Sequence, residues 1–320
     1  MTCLDTIEFT THTDYIRNLK MDNFIMTNRR FPNGYKEKKY SLKNKITGLS
    51  RITINDTRES VRINASSKIL GINYPKGIDF NTLDQFRREL TKTGLELDKD
   101  FINDCQLNRV DIKNDVKTDK EPHLYVNSLN QLNASKFFKT NYETSISFKE
   151  RIKTTPLTFT AYSKAREIES NKGFYNDFPS IGLHFDNIFR IETKLLKSAT
   201  IKKYFKSRDL IKILSSTDFN LKIFDKIIDQ QTNFKPLVDT SNMTNTQEKN
   251  FAHIFYLNQF YRGDTNRIIK HIESKLAKNT KASYQRKKVK EYLSMINNTS
   301  ECFFEDIEEI KSKLREHVSL

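Results

Sequence analysis

Residues 157–169 read LTFTAYSKAREIE, and the start of this stretch predicts a β-strand. Its side chains alternate between apolar and polar with a period of two, so two faces separate. One face carries Leu157, Phe159 and Ala161, and the other carries Thr158, Thr160 and Tyr162. Lys164 shares the face of Tyr162 while the strand lasts, and an ammonium group beside a phenol favours the nucleophilic phenolate. The alternative is an edge strand that shows both side chains to solvent.

Two other predicted strands carry ionisable groups on one face, LNRVDIKNDV at 107–116 and IFRIETKLL at 188–196. In the first, Arg109, Asp111 and Lys113 share a face; in the second, Glu192 lies on the polar face. If the sheet sets these strands side by side, Asp111 and Glu192 converge near Tyr162. Carboxylate oxygens are ligands for Mg²⁺ or Mn²⁺, so Asp111 and Glu192 are the candidate metal ligands. A solvent-facing sheet is the alternative.

The rest of the chain is predicted from its periodicity and turn signals. Strands are expected within 1–20, at 49–56, 60–65 and 143–149, a turn at 66–74, and a loop at 171–180. Thr82 and Gln85 have the spacing of a capping box, ahead of a buried helical stripe of Leu83, Phe86 and Leu90. Beyond residue 199 the apolar period becomes helical. We therefore predict an α+β fold, an antiparallel sheet with packed helices.

The sequence predicts two domains. The first domain, with the sheet and its polar face, would span 1–225, and a second, helical domain would span 226–320.

The formal net charge of +15 and the isoelectric point near 9.5 indicate a polyanionic partner, for which nucleic acid is the best candidate. Residues 29–45 interleave cations with aromatic rings around a turn signal at 32–34, a composition suited to single-stranded nucleic acid. Residues 270–290 are also dense in Lys and Arg. A solvated charged surface is the alternative for both segments. The candidate DNA-contacting residues are Arg29, Arg30, Lys36, Lys38, Lys39, Lys68, Arg109, Arg190, Arg286, Lys287 and Lys288.

Several function classes lack a sequence signal. Cys3, Cys105 and Cys302 stand singly, which argues against a structural zinc site and suits a reducing compartment. The six histidines form no close pair in the sequence, and no glycine-rich phosphate loop is present. Neither a signal peptide nor a membrane-spanning run is apparent, so we expect a cytoplasmic protein without a membrane partner.

Four segments occur in an order that resembles the replication initiators of filamentous phages, the gene II/gene X family. They are SRITIND with VRINASSKILG, NRVDIKND, TFTAYSKAREIE, and IFRIETKLLKSATIKKYF. The resemblance covers roughly residues 50–206. One departure is visible after Gly71, where the family often has Asn or His and this chain has Ile72 followed by Asn73. Either Asn73 makes the contact that the Asn or His of the family makes, or this chain lacks that contact.

The resemblance implies a rolling-circle replication initiator of a phage or plasmid in a bacterial host. Domain 1–225 would then be the catalytic and DNA-binding domain, and domain 226–320 would contact either DNA or a partner such as a host helicase or polymerase. The family's nucleophile matches Tyr162, which would cut one DNA strand at the origin duplex and form a covalent 5′-phosphotyrosine. The family's strand acids match Asp111 and Glu192, the candidate ligands for Mg²⁺ or Mn²⁺, and Lys164 would lower the pKa of Tyr162. The alternative function is a non-catalytic DNA-binding replication regulator, and an RNA-binding protein is a third.

Overall fold

The computed structural model describes most of the chain, namely residues 2–32, 36–44, 46–132, 134–142, 144–170, 172–230, 243–261, 265–275 and 282–319. The predicted turn at 32–34 lies mostly outside these ranges. The contacts define two compact units. The first contains Met1–Val126, Asn133–Thr232 and Ile310–Leu320, and the second contains Asn127–Leu132 and Asn233–Glu309. The boundary predicted between 225 and 226 falls within a helix of the first unit.

The strands of the described chain are β1 (Cys3–His12), β2 (Ile16–Leu19), β3 (Phe24–Arg30), β4 (Lys36–Leu42), β5 (Leu49–Asn55), β6 (Ser60–Ser66), β7 (Leu95–Leu97), β8 (Gln106–Lys117), β9 (Phe137–Tyr142), β10 (Ser145–Glu150), β11 (Thr158–Ser163) and β12 (Ile188–Leu195). Ten of these described strands form one sheet in the order β3-β4-β5-β6-β1-β8-β12-β11-β10-β9, and β2 pairs with β7. Every pairing in the ten-stranded sheet is antiparallel.

The helices of the described chain are α1 (Leu83–Lys92), α2 (Pro122–Asn130), α3 (Lys164–Ser170), α4 (Lys172–Asp177), α5 (Pro179–His184), α6 (Ser198–Phe205), α7 (Leu210–Leu214), α8 (Phe219–Ile228), α9 (Asn245–Phe260), α10 (Thr265–Ser274) and α11 (Ala282–Ser319). A large antiparallel sheet combined with these helices confirms the predicted α+β class. No helix in the described ranges has the length and apolar character needed to cross a bilayer.

The ten-stranded sheet is built from two halves of the same topology. In the first half, β3 forms one edge, and β4, β5 and β6 lead back to β1 at the centre. In the second half, β9 forms the other edge, and β10, β11 and β12 lead back to β8. The central strands β1 and β8 are antiparallel, with Thr6 facing Asp111. The strand order outward from β1 thus repeats outward from β8 in the opposite direction, as an approximate two-fold axis between these two strands would produce.

One face of the sheet is apolar and forms the core of the first unit. Phe86 of α1 packs on Phe9 of β1, with ring centroids 6.4 Å apart. Phe224 of α8 stacks on Phe159 of β11 at 5.8 Å. These rings are buried, so their removal from water drives the helices onto this face. The predicted alternation of β11 is confirmed, and Tyr162 lies on the opposite, polar face.

Two local predictions are wrong. The Thr82 hydroxyl donates to the carbonyl of Gly77 at 2.8 Å, and the Gln85 amide donates to the carbonyl of Leu70 at 3.0 Å, so they form no capping box. The predicted loop at 171–180 contains α4 and the start of α5 in its described part. Pro179 stands in the first turn of α5, where its missing N–H has no intrahelical partner to lose.

The second unit has its own core. It is formed by side chains of α9, α10 and α11: Phe251, Ile254, Leu257, Ile268, Val289, Tyr292 and Leu293. The helical character predicted for this region is confirmed for its described residues.

Candidate active site on the polar face of the sheet

Tyr162, Asp111 and Glu192 lie on the same face of the sheet. They belong to β11, β8 and β12, which are neighbours in the order β8-β12-β11. Residues that face each other across an antiparallel pair share a face. The facing pairs are Tyr162 with Arg190, Glu192 with Lys113, and Asp111 with Lys194. The polar groups predicted on three separate strands are therefore gathered over three adjacent strands.

Tyr162 is half-buried, and its hydroxyl forms no hydrogen bond within the described residues. Burial raises the pKa of Tyr162 well above its ordinary value, and the nearby charge of Glu192 raises it further. Arg190 opposes the shift. The phenol therefore stays protonated at neutral pH and needs a base before it can attack an electrophile.

Lys164 is the first residue of α3, and its side chain is buried. Its Nζ lies 2.6 Å from Oε2 of Glu167 and 5.8 Å from the ring centroid of Tyr162. Burial and the repulsion of Arg190 lower the pKa of Lys164 to about 8. The expectation that Lys164 depresses the pKa of Tyr162 does not hold, because the pKa of Tyr162 is raised and its main opposing cation is Arg190.

Asp5 is a third carboxylate of this cluster. It lies at an irregularity of β1 between Leu4 and Thr6, and its Oδ1 is 3.2 Å from Nη1 of Arg190. The pKa of Glu192 is raised to about 7, by burial first and then by the charges of Asp5 and Asp111. Sequence reasoning missed Asp5, because a bulge that turns one residue of a strand toward the polar face leaves no mark in the alternation.

The metal prediction agrees with the donor chemistry of this cluster. Carboxylates suit Mg²⁺, which is commonly held by one or two of them together with water and substrate phosphate. Burial is the main cause of the raised pKa of Glu192, and a cation would offset the second cause, the negative charges of Asp5 and Asp111. The described residues, however, contain no group of three or more His, Cys, Asp or Glu side chains arranged to hold a metal. Asp111 is paired with Arg109 at 2.7 Å, and Glu192 lies 3.3 Å from Lys194.

Arg190 is fully buried, which corrects its assignment as a DNA contact. Its Nε and Nη2 donate to the two oxygens of Asp115 at 2.5 and 2.7 Å, and its Nη1 donates to the hydroxyl of Tyr74 at 2.8 Å. Lys113 and Lys164 each lie 5.3 Å from the ring centroid of Tyr74. Arg190 therefore organises the floor of the site, and Tyr74 and Asp115 are partners that the sequence did not single out.

The other predicted DNA contacts are spread over both units. In the first unit, Arg29 and Arg30 are exposed on the edge strand β3, and Arg109 is partly exposed beside Asp111. Lys38 pairs with Asp56 at 3.4 Å, and Lys39 pairs with Glu37 at 2.7 Å.

Three further positions complete this set. The backbone of Lys36 lies in β4, but its side chain is outside the described residues. Lys68 contacts the rings of Phe174 and Tyr175. In the second unit, Arg286 and Lys287 are exposed on α11, where Arg286 pairs with Glu273, and Lys288 is partly buried.

Two exposed aromatic rings lie on the polar face near Tyr162. Tyr142 of β9 faces Ser145 of β10, which in turn faces Tyr162 of β11. Tyr142 is 62% exposed and Phe138 of the same strand is 55% exposed. Strands are spaced about 4.8 Å apart, so these rings stand about 10 Å from β11. Their alternation in NASKFFKTNY is a signal that sequence reasoning left unused.

The structure also brings together two histidines that are distant in the sequence. In the second unit, the rings of His253 and His271 have centroids 6.4 Å apart, and Nδ1 of His271 lies 2.9 Å from the hydroxyl of Tyr261. Histidines that are far apart in the sequence are therefore neighbours in this unit.

No protein-family model matches the chain, and a search of curated proteins finds no match.

Proposed function

We propose that this protein is a rolling-circle replication initiator that cuts and rejoins one DNA strand by tyrosine transesterification. The observation that carries the proposal is that Tyr162, Asp111 and Glu192 lie on the same polar sheet face, over three adjacent strands. The net charge of +15 supports a DNA partner, and the resemblance to the gene II/gene X family supports the reaction. The protein would act in the cytoplasm of a bacterial host, on the origin duplex and on single-stranded DNA.

In this reaction the phenolic oxygen of Tyr162 attacks a backbone phosphorus, and the bond from phosphorus to the 3′-oxygen breaks. The products are a 5′-phosphotyrosine and a free 3′-hydroxyl, with the phenolic proton passing to a base and the leaving oxygen taking up a proton. Lys164 would take up the phenolic proton, because its pKa of about 8 leaves part of it neutral near neutral pH and its Nζ lies 5.8 Å from the ring centroid of Tyr162. One phosphodiester replaces another, so the reverse reaction joins the strand without ATP.

Asp111 and Glu192 are the residues that would hold Mg²⁺ or Mn²⁺. When bound there, the ion would polarise the phosphate and stabilise the charge that develops on it. Arg109 and Lys194 are partly exposed cations beside these carboxylates and would help to position the phosphate. Arg190 would act indirectly, by holding the carboxylates of Asp5 and Asp115 in position through its hydrogen bonds.

The test compares the wild type with Tyr162→Phe on supercoiled DNA that carries the origin, in Mg²⁺ or Mn²⁺. We expect nicking and a covalent protein–DNA band for the wild type, and loss of both with binding retained in the variant. Tyr142→Phe is the matched control, since it removes one exposed hydroxyl from the same face. Nicking that survives in Tyr162→Phe would overturn the assignment of the nucleophile.

The second candidate is a non-catalytic DNA-binding regulator of replication. One observation favours it, namely that the Tyr162 hydroxyl has no hydrogen-bonded base within the described residues and its pKa is raised. If the wild-type protein binds origin DNA but never nicks it, the regulator function is supported and the nicking reaction is rejected.

A further inference from the structure

The two halves of the sheet differ at the positions of the proposed site. Where the second half has Tyr162, Asp111 or Glu192, the first half has a neutral residue at the equivalent position. Placing the axis at the facing pair Thr6 and Asp111 makes these two residues equivalent, and this placement also aligns the Arg-Ile-Asn segment 62–64 of β6 with the Arg-Ile-Glu segment 190–192 of β12. Two residues further along β1 and β8, Glu8 pairs with Asn64 and Lys113 pairs with Glu192. Asn64 is thus equivalent to Glu192.

The nucleophile position follows from the next pair of facing residues. Arg62 of β6 is equivalent to Arg190 of β12, because each lies two residues before Asn64 or Glu192 in its strand. Arg62 faces Thr53 of β5, whereas Arg190 faces Tyr162 of β11. The first half therefore keeps the arginine and has Thr53, Asn64 and Thr6 where the second half has its tyrosine and acids.

A basic cavity of about 550 Å³ occupies this part of the first half. Its cations are Lys39, Arg51, Arg58 and Arg62, and its acid is Glu37. The oxygens of Glu37 are taken up by Lys39 at 2.7 Å and by the amide of Asn55 at 2.7 Å. Arg62 pairs with Glu8 on the adjacent β1. Two positive charges remain after both acids are counted.

Arg51 is the cation of this cavity whose side chain is best placed to bind a ligand. Its side chain is exposed and forms no hydrogen bond or ion pair within the described residues. The hydroxyls of Thr53 and Ser60 line the same cavity. Guanidinium and hydroxyl donors around a surplus of positive charge are the groups that bind phosphate oxygens.

We infer that the first half is a non-catalytic copy of the second and that its cavity binds backbone phosphates of single-stranded DNA. The choice of DNA rests on the proposed function. The cavity centres on β5, five strand spacings from β11, or about 24 Å from Tyr162 along the same face. The cut strand would thus be held by one half while the other half acts on it.

The experiment measures binding of a fluorescent oligothymidylate to the full chain over a range of salt concentrations. Each lost phosphate contact lowers the slope of log K against log salt by about 0.7 for single strands. We expect Arg51→Ser to show this loss and to bind about five-fold more weakly at 0.1 M salt. Arg51→Lys should keep most of the slope.

The matched control is Arg88→Ser. Arg88 is exposed on α1, which packs on the apolar face, so this variant removes the same charge away from the cavity. Circular dichroism would check that all variants keep the wild-type fold. Equal binding by Arg51→Ser and Arg88→Ser would overturn the inference. So would a wild type that does not bind the oligonucleotide, or an Arg51→Ser effect confined to duplex DNA.

Failure of the proposed function gives a different result. A wild type that never nicks, combined with an Arg51-dependent salt slope, rejects the nicking reaction and retains the phosphate site. Nicking that depends on Tyr162 without any effect of Arg51→Ser rejects the phosphate site and retains the reaction.

Discussion

The guanidinium of Arg190 binds both carboxylate oxygens of Asp115, with Nε to Oδ1 at 2.5 Å and Nη2 to Oδ2 at 2.7 Å. In the other half of the sheet, the equivalent arginine, Arg62, faces Thr10 and pairs instead with Glu8 of β1 through a single carboxylate oxygen, Oε1. Arg190 is fully buried, whereas the side chain of Arg62 is 49% exposed. Each half of the sheet thus pairs its arginine with a carboxylate of its central strand, but only in the second half is that arginine fully buried.

This contrast predicts different costs for the two arginines. Arg190→Gln leaves Asp115 and Asp5 buried without their cation and should lower the free energy of unfolding by about 3–5 kcal/mol. Arg62→Gln should cost less, about 1 kcal/mol, because water reaches the half-exposed guanidinium and Asn64 still donates to Glu8. Urea unfolding followed by circular dichroism measures both. Similar losses for the two variants would contradict the burial argument.

Glu192 should make the stability of the protein depend on pH. Its pKa of about 7 in the folded protein exceeds its ordinary value of 4.5, so the folded state holds the proton more tightly than the unfolded chain. The contribution of this proton is present below about pH 4.5 and is lost as the pH rises to about 7, by roughly 3 kcal/mol. Glu192→Gln lacks this loss.

The measurement is the difference in unfolding free energy between the wild type and Glu192→Gln from pH 4 to 8. We expect the variant to gain relative to the wild type as the pH rises. Arg109 and Lys194 remain in both proteins, so the difference isolates Glu192. A difference that stays constant with pH would show that burial and the charges of Asp5 and Asp111 do not raise the pKa of this carboxyl group.

The exposed rings of Tyr142 and Phe138 should stack on bases of single-stranded DNA. Loss of a stacking ring costs about 1–3 kcal/mol of binding, so Tyr142→Leu should weaken single-strand binding by about five-fold or more. Tyr142→Phe keeps the ring and should bind like the wild type. Fluorescence anisotropy with a short oligonucleotide measures the affinities. Tyr256→Leu removes a ring of similar exposure, 63%, from the second unit and serves as the control.

Cleavage should require a divalent cation bound through Asp111 and Glu192. We expect EDTA to abolish nicking and to leave DNA binding intact, and added Mg²⁺ or Mn²⁺ to restore nicking. Asp111→Asn should raise the Mg²⁺ concentration needed for half-maximal cleavage at least ten-fold, because it removes one anionic oxygen. Asp115→Asn would be a poor control, since Asp115 supports Arg190. Full activity in EDTA would reject the metal site.

Much of the fold follows from local patterns. The alternation at 157–162 placed Tyr162 opposite Phe159, and the same period placed Asp111 and Glu192 on the polar sides of their strands. These predictions succeed because the period of a strand depends only on neighbouring residues. The predicted capping box is absent because Thr82 and Gln85 bind carbonyl groups of the preceding segment. The spacing of these two residues in the sequence does not reveal those partners.

The sequence by itself determined the α+β class, the positive charge, and the faces of the strands that carry Tyr162, Asp111 and Glu192. Only the tertiary structure decided that β8, β12 and β11 are neighbours, that Asp5 joins the carboxylates, and that Arg190 is a buried support. It also decided the two-fold relation that makes the position of Thr53 equivalent to that of Tyr162. Strand order and burial depend on pairing between distant residues, which local periodicity does not encode.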